Sequence, residues 1–434
     1  MKVVNTSKKL FLIIVCAFLF RFLLAFSAWH IDVNNHVDWG TRFFEYGAAG
    51  FYSPEANVWN FTWPNQPPGS IYIYAGIYKL FGFLFSIVWW LNIKIPIFPS
   101  GIVTFFETNL FPALLKLPAI LADMGIAILI YKFVELILGS SKKTKKVALF
   151  GATLWLINPV IWYNSSLWGQ TDSVVNFLVL LGFYLLFRKK LIWAALAVAL
   201  SIYTKASLLI FVPIFAILAI RQKYRPKQYL FSVVVPLLVI GALTLPFSAG
   251  EPFSWLVTLY KDKVFTEQLQ VITANAFNLW GALTGLHEKS HELLFGPLSF
   301  KMWGTLLYGI SYLYAIYLVW KKQDAKSVLW VLSIVAFSSF MLLTNMHERY
   351  LFPLFAPFTV LAALERGLLP LYAWISGVNL INLYHLWWVP KFEPLVNLLI
   401  TGNRLVPRLL SAVNTALFGV FASRFLRHFK ATKL

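Results

Sequence analysis

Six short clusters of lysine and arginine punctuate a chain that is otherwise a succession of apolar runs, and this alternation limits the fold more than any single motif. The clusters are Lys2/Lys8/Lys9, Lys142/Lys143/Lys145/Lys146, Arg188/Lys189/Lys190, Arg221/Lys223/Arg225/Lys227, Lys321/Lys322/Lys326 and Arg424/Arg427/Lys430/Lys433. Of the 434 residues 59% are hydrophobic, and mean hydropathy is +0.71. No soluble core hides that much apolar surface, so the sequence predicts an all-α polytopic membrane protein. At about 20 residues per spanning helix there is room for about twelve transmembrane helices and no large soluble domain. No tandem repeat or low-complexity linker divides the chain, so residues 1–434 read as a single membrane-embedded domain. A formal charge of +20 would ordinarily suggest nucleic acid. Here the basic residues sit in short loops, which marks cytoplasmic ends facing anionic lipid and excludes a nucleic-acid partner.

The two longest loops, residues 29–110 and 248–300, each carry five acidic against three basic side chains, which suits the extracytoplasmic side. Spans are expected near 9–28, 112–138, 147–166, 172–187, 191–203, 206–220, 228–247, 302–320, 327–345, 350–366, 368–388 and 405–425, with both termini cytoplasmic. Residues 67–91 are apolar enough to cross, but a crossing there would put Lys142–Lys146 outside. They are expected instead to lie tilted or re-entrant against the outer leaflet. Residues 191–220, between two basic clusters, must form a hairpin of two short helices meeting near Thr204-Lys205. Lys391, Arg404 and Arg408 fall in the last outer loop, against the charge rule. The first apolar run follows Lys8 and Lys9 and is interrupted by Arg21, so it reads as an uncleaved helix rather than a signal peptide. It contains Cys16, the one cysteine, which excludes an intrachain disulfide framework.

Polar groups at membrane depth are costly, so their positions are informative. On this map they collect at the outer helix ends, in residues 30–40, 158–172, 273–281 and 344–350 and at Lys205. Five separated segments thus converge on one extracytoplasmic surface, as an active site would require. Asp32 and Asp38 each read either as a carboxylate capping the segment that follows or as a catalytic base. Lys205 is either a snorkelling anchor or a phosphate-holding cation, and its depth and isolation favour the second. His347, Glu348 and Arg349, followed by Tyr350, exceed what anchoring needs. Asp123 reads as the structural partner of Arg21. Trp168 and Trp280 lie inside polar clusters, where a ring face can stack on a sugar as well as anchor an interface.

One motif points elsewhere. His287-Glu288-Lys289-Ser290-His291 matches H-E-x-x-H, which on a helix would present two imidazoles to zinc with the glutamate as base. It lies two residues after Gly285 with no identifiable third ligand, so no metal site is expected.

Together these clusters resemble the bacterial and archaeal integral-membrane mannosyltransferases related to the eukaryotic enzyme that adds the second mannose of GPI anchors, within the GT-C glycosyltransferases. The resemblance runs through Asp32, Asn34, Trp39, Gly47 and Phe51-Tyr52. It continues through Pro67-Pro68-Gly69, Lys116, Pro118 and Asp123, then Asn158-Pro159 leading to Trp168-Gly169-Gln170-x-Asp172. Lys205, Asn275-Ala276-Phe277-Asn278-x-Trp280 and Met346-His347-Glu348-Arg349-Tyr350 complete it. It covers about residues 30–353, and the last two motifs are the most specific. It implies a GT-C fold with outer juxtamembrane helices in the first loop, and it favours Asp32 over Asp38 as base. One departure is Asn65, where the family often has an Asp two residues before the Pro-Pro-Gly; Asp38 is the alternative second acid.

The implied reaction moves a hexose, mannose foremost, from a polyprenyl-phosphate carrier to an acceptor hydroxyl on a lipid, glycan or protein, with inversion, at the plasma membrane. The resemblance assigns Lys205, Arg349 and His347 to the donor phosphate. It places Asn34, Asp38, Trp168, Gln170, Asp172, Asn275, Asn278, Trp280, Glu348 and Tyr350 around the substrates, and it requires no metal or other cofactor beyond the lipid-linked donor. The rival reading is a lipid-linked sugar flippase or polytopic transporter, which would spread its polar groups along a path through the bilayer.

Overall fold

The computed structural model describes residues 6–53, 62–264 and 269–431; Lys2 and Lys433, assigned above to the cytoplasmic face, lie outside the described residues. The protein is all-α and 79% helical. Among the described residues the β-structure with a ladder is a two-stranded ribbon, Leu294–Phe295 with Leu298–Ser299.

Among the described residues six helices are long and apolar enough to cross a membrane: Pro68–Lys94, Ser100–Leu138, Pro226–Phe247, Phe300–Lys321, Ala325–Leu342 and Glu393–Lys430. A seventh is added if Lys142–Ile157 and Pro159–Trp168, bent by 47°, form one span. This is a multi-pass membrane architecture. The count is smaller than the twelve expected because other apolar intervals fold into shorter helices, among them Asp172–Phe187, Leu191–Thr204, Ala206–Arg221 and Phe352–Leu364. Sixteen residues reach only about 24 Å, short of a hydrocarbon core of about 30 Å. Residues 67–91, expected to lie against the outer leaflet, form most of the 27-residue helix Pro68–Lys94, which has the length and hydropathy of a span.

Burial separates central from lipid-facing helices. In Ala325–Leu342, 83% of the apolar window is buried, against 22% in Pro226–Phe247. The central helix is apolar on every side, and its Ser333, Ser338 and Ser339 are small and return their hydroxyls to carbonyls of their own preceding turn. These three hydroxyls therefore add no unpaired donor where the helix is packed.

Three breaks in helicity shape the site. At Asn158-Pro159 the proline supplies no N–H, and Asn158 Oδ1 accepts the Val160 N–H at 3.0 Å. Its Nδ2 donates to Tyr372 Oη at 2.7 Å and Ser376 Oγ at 3.1 Å, so the bend is fixed rather than flexible. The bent segment ends in a π-helical turn, Tyr163–Trp168, closed by Gly169 at φ 91°. A Cβ on Gly169 would stand 2.4 Å from Val33 Cγ2, so glycine is required for both conformation and space. The second break is Lys205, extended (φ −158°) between Leu191–Thr204 and the 3₁₀ turn Ala206–Phe211. The third is Lys116, at the joint of Ser100–Leu115 and Leu117–Leu138.

Lys116 is fully buried and its Nζ donates to the carbonyls of Ala25 (2.8 Å), Ser166 (2.9 Å) and Ala28. All three ammonium protons thereby find acceptors. Deeper in the bundle Arg21 pairs with Asp123 at 3.2 Å, both side chains fully buried. Ser165 and Ser173 donate to the same carboxylate at 2.7 and 2.6 Å, and Arg21 also reaches Leu156 O at 2.8 Å. The pairing read from the sequence is present, and it forms a closed network.

Candidate active site

Residues 30–40 begin the helix Ile31–Gly50, with His30 as N-cap: its Nδ1 accepts the Asp32 backbone N–H at 3.2 Å. Asp32, Asn35, His36 and Trp39 fall at i, i+3, i+4 and i+7 and so share one helix face. All four line a cavity of about 580 Å³, within the size range of small-molecule sites. Asn34 and Asp38 lie off this face. Asn34 Oδ1 accepts the Trp29 indole N–H at 3.2 Å, and Asp38 takes Arg42 at 2.7 Å, one helical turn on. Both are tied within their own segment, so neither lines the cavity as the resemblance implied.

Asp32 is the best-supported carboxylate of the cavity. Trp168 Nε1 donates to its Oδ2 at 3.2 Å, Gln170 Nε2 donates to the same oxygen, and His30 Nδ1 lies 3.3 Å from it. Arg349 Nη1 approaches the same oxygen to 3.8 Å. Burial pushes the Asp32 carboxyl up, but Arg349 foremost, with the Trp168 N–H, more than reverses this and holds it well below the usual carboxylate range. Two chain segments meet here. His30 N donates to Trp168 O at 3.2 Å, and the two rings stack 4.2 Å apart.

The cations come from the break at Lys205 and from the non-helical segment that follows Ala325–Leu342. Lys205 pairs with Asp172 at 2.5 Å, and Asp172 opens the helix Asp172–Phe187. Arg349 Nη1 donates to Glu348 Oε1 at 2.9 Å, and among the described residues its buried Nε has no partner. Burial lowers the Arg349 affinity for its proton, but Asp32 and Glu348 outweigh that, so it stays charged. Burial raises the Glu348 carboxyl, with Arg349 opposing. His347 is pushed down to about 3, chiefly by burial and then by Arg349, so it is a neutral imidazole and offers hydrogen bonds rather than charge. Gln170, Asp172, Lys205, His347, Arg349 and Tyr350 all line the cavity with Asp32.

Other residues expected at the substrates act from behind. Trp168 is 1% exposed, with His30 stacked on it and Trp387 beside it, and Trp280 is 2% exposed with its N–H on Leu342 O at 2.7 Å. Neither ring lines the cavity as a platform for a sugar. Asn278 caps Leu279–Thr284 by accepting the Gly281 N–H at 2.9 Å and donates to Phe340 O at 3.2 Å. Asn275, at φ 64°, accepts from Arg404 at 3.1 Å and from Asn382 at its carbonyl. Its segment bridges to His347, and Ala274 N donates to Met346 O at 3.0 Å. These residues lock the loop that carries His347, Glu348 and Arg349. Glu348, 3% exposed, likewise acts through Arg349.

Arg404 and Arg408, which broke the charge rule, have a local use. Arg408 donates to the carbonyls of Ala282 and Leu283 at 2.9 Å each, and Arg404 to Leu286 O at 3.2 Å. They complete the C-terminal end of Leu279–Thr284, where positive charge is favoured. The residues from His287 to His291 are not helical, so the two imidazoles do not share a helix face as a zinc motif requires. His287 bonds Asn403 Oδ1 at 2.6 Å, and His291 is buried beside Glu292.

The sequence reading missed Asn35, His36, Gln66 and Asn176, all of which line the cavity. The signal for the first two was present in the i+3 and i+4 spacing from Asp32.

No protein-family model matches the chain. Among curated proteins it is similar to GPI mannosyltransferase 1 of Kluyveromyces lactis, 25% identical over 230 residues, which is 50% of this chain and 52% of that protein. The chain spans about half the length of the curated relative it matches. The motifs pointed to relatives of the enzyme for the second GPI mannose, whereas this relative bears the name GPI mannosyltransferase 1. What the two share is a mannosyltransferase, and distant homology of this kind supports a glycosyltransferase.

Proposed function

We propose that the protein transfers a hexose, mannose foremost, from a polyprenyl-phosphate carrier to an acceptor hydroxyl, with inversion at the anomeric carbon. The observation that carries this reading is two carboxylates, Asp32 and Asp172, and two cations, Arg349 and Lys205, lining a single cavity, in which Asp172 is paired with Lys205 and Asp32 is left as the candidate base. Asp32 takes the proton of the attacking hydroxyl as the new glycosidic bond forms. The bond from the anomeric carbon to the carrier phosphate breaks, and the departing phosphate keeps the electron pair. Arg349, through its Nε and remaining N–H groups, and Lys205, through two further protons, hold that charge in a low-dielectric site. Once phosphate shares Arg349, the pull on Asp32 weakens and its basicity rises, so base strength follows donor binding.

The finer setting belongs to the same proposal. The chain takes the GT-C fold with about twelve crossings, both termini are cytoplasmic, and the cavity opens extracytoplasmically at the plasma membrane. In its support, helices occupy each interval in which a crossing was expected, and Arg404 and Arg408 tie the last outer loop to the 248–300 loop. The acceptor is a lipid, glycan or protein hydroxyl, and the reaction needs no metal. The closed Arg21–Asp123 network weighs against a transport path, because both side chains are fully buried and mutually satisfied.

The test is transfer of radiolabelled mannose from polyprenyl-phosphate mannose into membrane acceptors by vesicles carrying this chain. Transfer that requires Asp32 supports the reading. Absence of transfer with mannose, glucose and arabinose carriers, together with movement of lipid-linked sugar between leaflets, would replace it with the flippase.

A further inference from the structure

The charged groups of the cavity are largely satisfied by one another, whereas part of its wall is neutral and unsatisfied. Among the described residues, His36 Nδ1 and Asn35 Oδ1 are buried with no hydrogen-bond partner. Native proteins keep few such atoms, and those they keep usually await water or a ligand. His36 is 2% exposed and lines the cavity one turn from Asp32. Its ring cannot turn away to find a partner, because it stacks on Tyr74 at 4.3 Å and 14° with Trp39 beside it. Tyr74 is itself fixed, its Oη donating to Gln66 Oε1 at 3.0 Å. That contact occupies the Gln66 carbonyl oxygen and leaves its amide donors, and Gln66 also lines the cavity.

We propose that Asn35, His36 and Gln66 form a subsite for the uncharged hydroxyls of the transferred sugar ring, separate from the cations that take phosphate; this rests on the glycosyl-transfer reading above. The chemistry of the three groups selects the ligand. Asn35 Oδ1 is an acceptor, a neutral imidazole offers one acceptor and one donor, and Gln66 offers donors. An ionised phosphate has only acceptors and cannot complete this set. Adjacent ring hydroxyls both donate and accept, so they can. Burial lowers His36 to about 4, with Lys205 and Arg349 acting in the same direction against Asp32 and Asp172, so the imidazole is neutral at neutral pH. It therefore does not compete with Arg349 and Lys205 for the phosphate.

The experiment uses the full chain in nanodiscs and two probes, a short-chain polyprenyl phosphate and the same phosphate bearing mannose, each titrated calorimetrically. The wild type is expected to bind the mannosylated probe about tenfold more tightly than the bare phosphate, the effect of a few net hydrogen bonds. His36→Phe, which keeps the ring stack, and Asn35→Leu are each expected to reduce that preference several-fold at unchanged affinity for bare phosphate. His36→Gln should restore part of it. In transfer assays the same substitutions should raise the donor KM more than they lower kcat. A wild type with no preference between the probes overturns the subsite and leaves the phosphate site standing. Equal loss of both probes in His36→Phe makes His36 a packing residue and also overturns it. A wild type that binds neither probe overturns the glycosyl-transfer reading, and the subsite with it.

Discussion

The Nη1 of Arg349 stands 3.8 Å from Asp32 Oδ2, two residues brought together from opposite parts of the chain. The same nitrogen donates to Glu348 at 2.9 Å, so one guanidinium organises both a candidate base and its own neighbour. A buried carboxylate beside a fixed cation stays ionised, and the cation keeps N–H groups free for an anionic ligand.

Asp32→Asn preserves the shape of the side chain and removes the base. General-base contributions of about 10²–10⁴-fold set the expected fall in kcat, at equal expression and unchanged thermal stability. Asp38→Asn, whose carboxylate faces Arg42 rather than the cavity, is expected to stay within about threefold of wild type. Equal loss in both variants would reassign the base. Steady-state transfer in matched vesicles makes the comparison.

Arg349→Gln should move the pH dependence in a defined direction. The base works only when ionised, so kcat/KM falls as pH drops through the Asp32 pKa. In the wild type that limb lies below the ordinary carboxylate range, because Arg349 opposes the effect of burial. With the cation gone the largest effect opposing burial is lost and the hydrogen bonds from Trp168 and Gln170 remain, so the variant's acid limb should move up toward about pH 4, the ordinary value for an aspartate. A profile from about pH 4 to 8 reads the shift, and coincident limbs would mean that Asp32 is not the titrating group.

Arg21→Met strands the Asp123 carboxylate with Ser165 and Ser173 as its remaining support. Breaking a buried pair costs about 3–5 kcal/mol, whereas replacing both partners with apolar residues costs far less. The double variant Arg21→Met/Asp123→Leu should therefore melt closer to wild type than the single one does. Thermal melting of detergent-solubilised protein, followed by size exclusion, decides it.

Gly169→Ala faces two separate penalties, a positive φ of 91° and a Cβ 2.4 Å from Val33. The expected loss is about 1–3 kcal/mol of stability, with weakened transfer because Gln170 is the next residue. Adding Val33→Ala removes the clash but not the backbone strain, so the double variant should recover only part of the melting temperature.

Much of this organisation was legible in the sequence. The basic clusters fall at helix ends, the chain breaks at Lys205, and Asp32, Lys205 and Arg349 line one cavity, because charges at membrane depth have few places to go. Helix length was less legible: hydropathy marks where an apolar run lies but not how far the helix within it stays straight. Trp168, Trp280, Asn275 and Asn278 stand behind the cavity lining, a placement that the sequence does not distinguish from a place on it. An aromatic or amide inside a polar cluster looks the same in sequence whether it faces a ligand or braces the residue that does. His36 was less legible because a neutral imidazole carries no charge signal, although its spacing from Asp32 already placed it on the same face.

Lys116 touches neither Asp32 nor Gln170, yet it fastens the segments from which both arise, at Ala25, Ala28 and Ser166. The relative position of those two side chains is therefore settled when the protein folds. A ligand entering the cavity meets groups already in register, and the conformational entropy of aligning them is lost once per molecule rather than at every turnover.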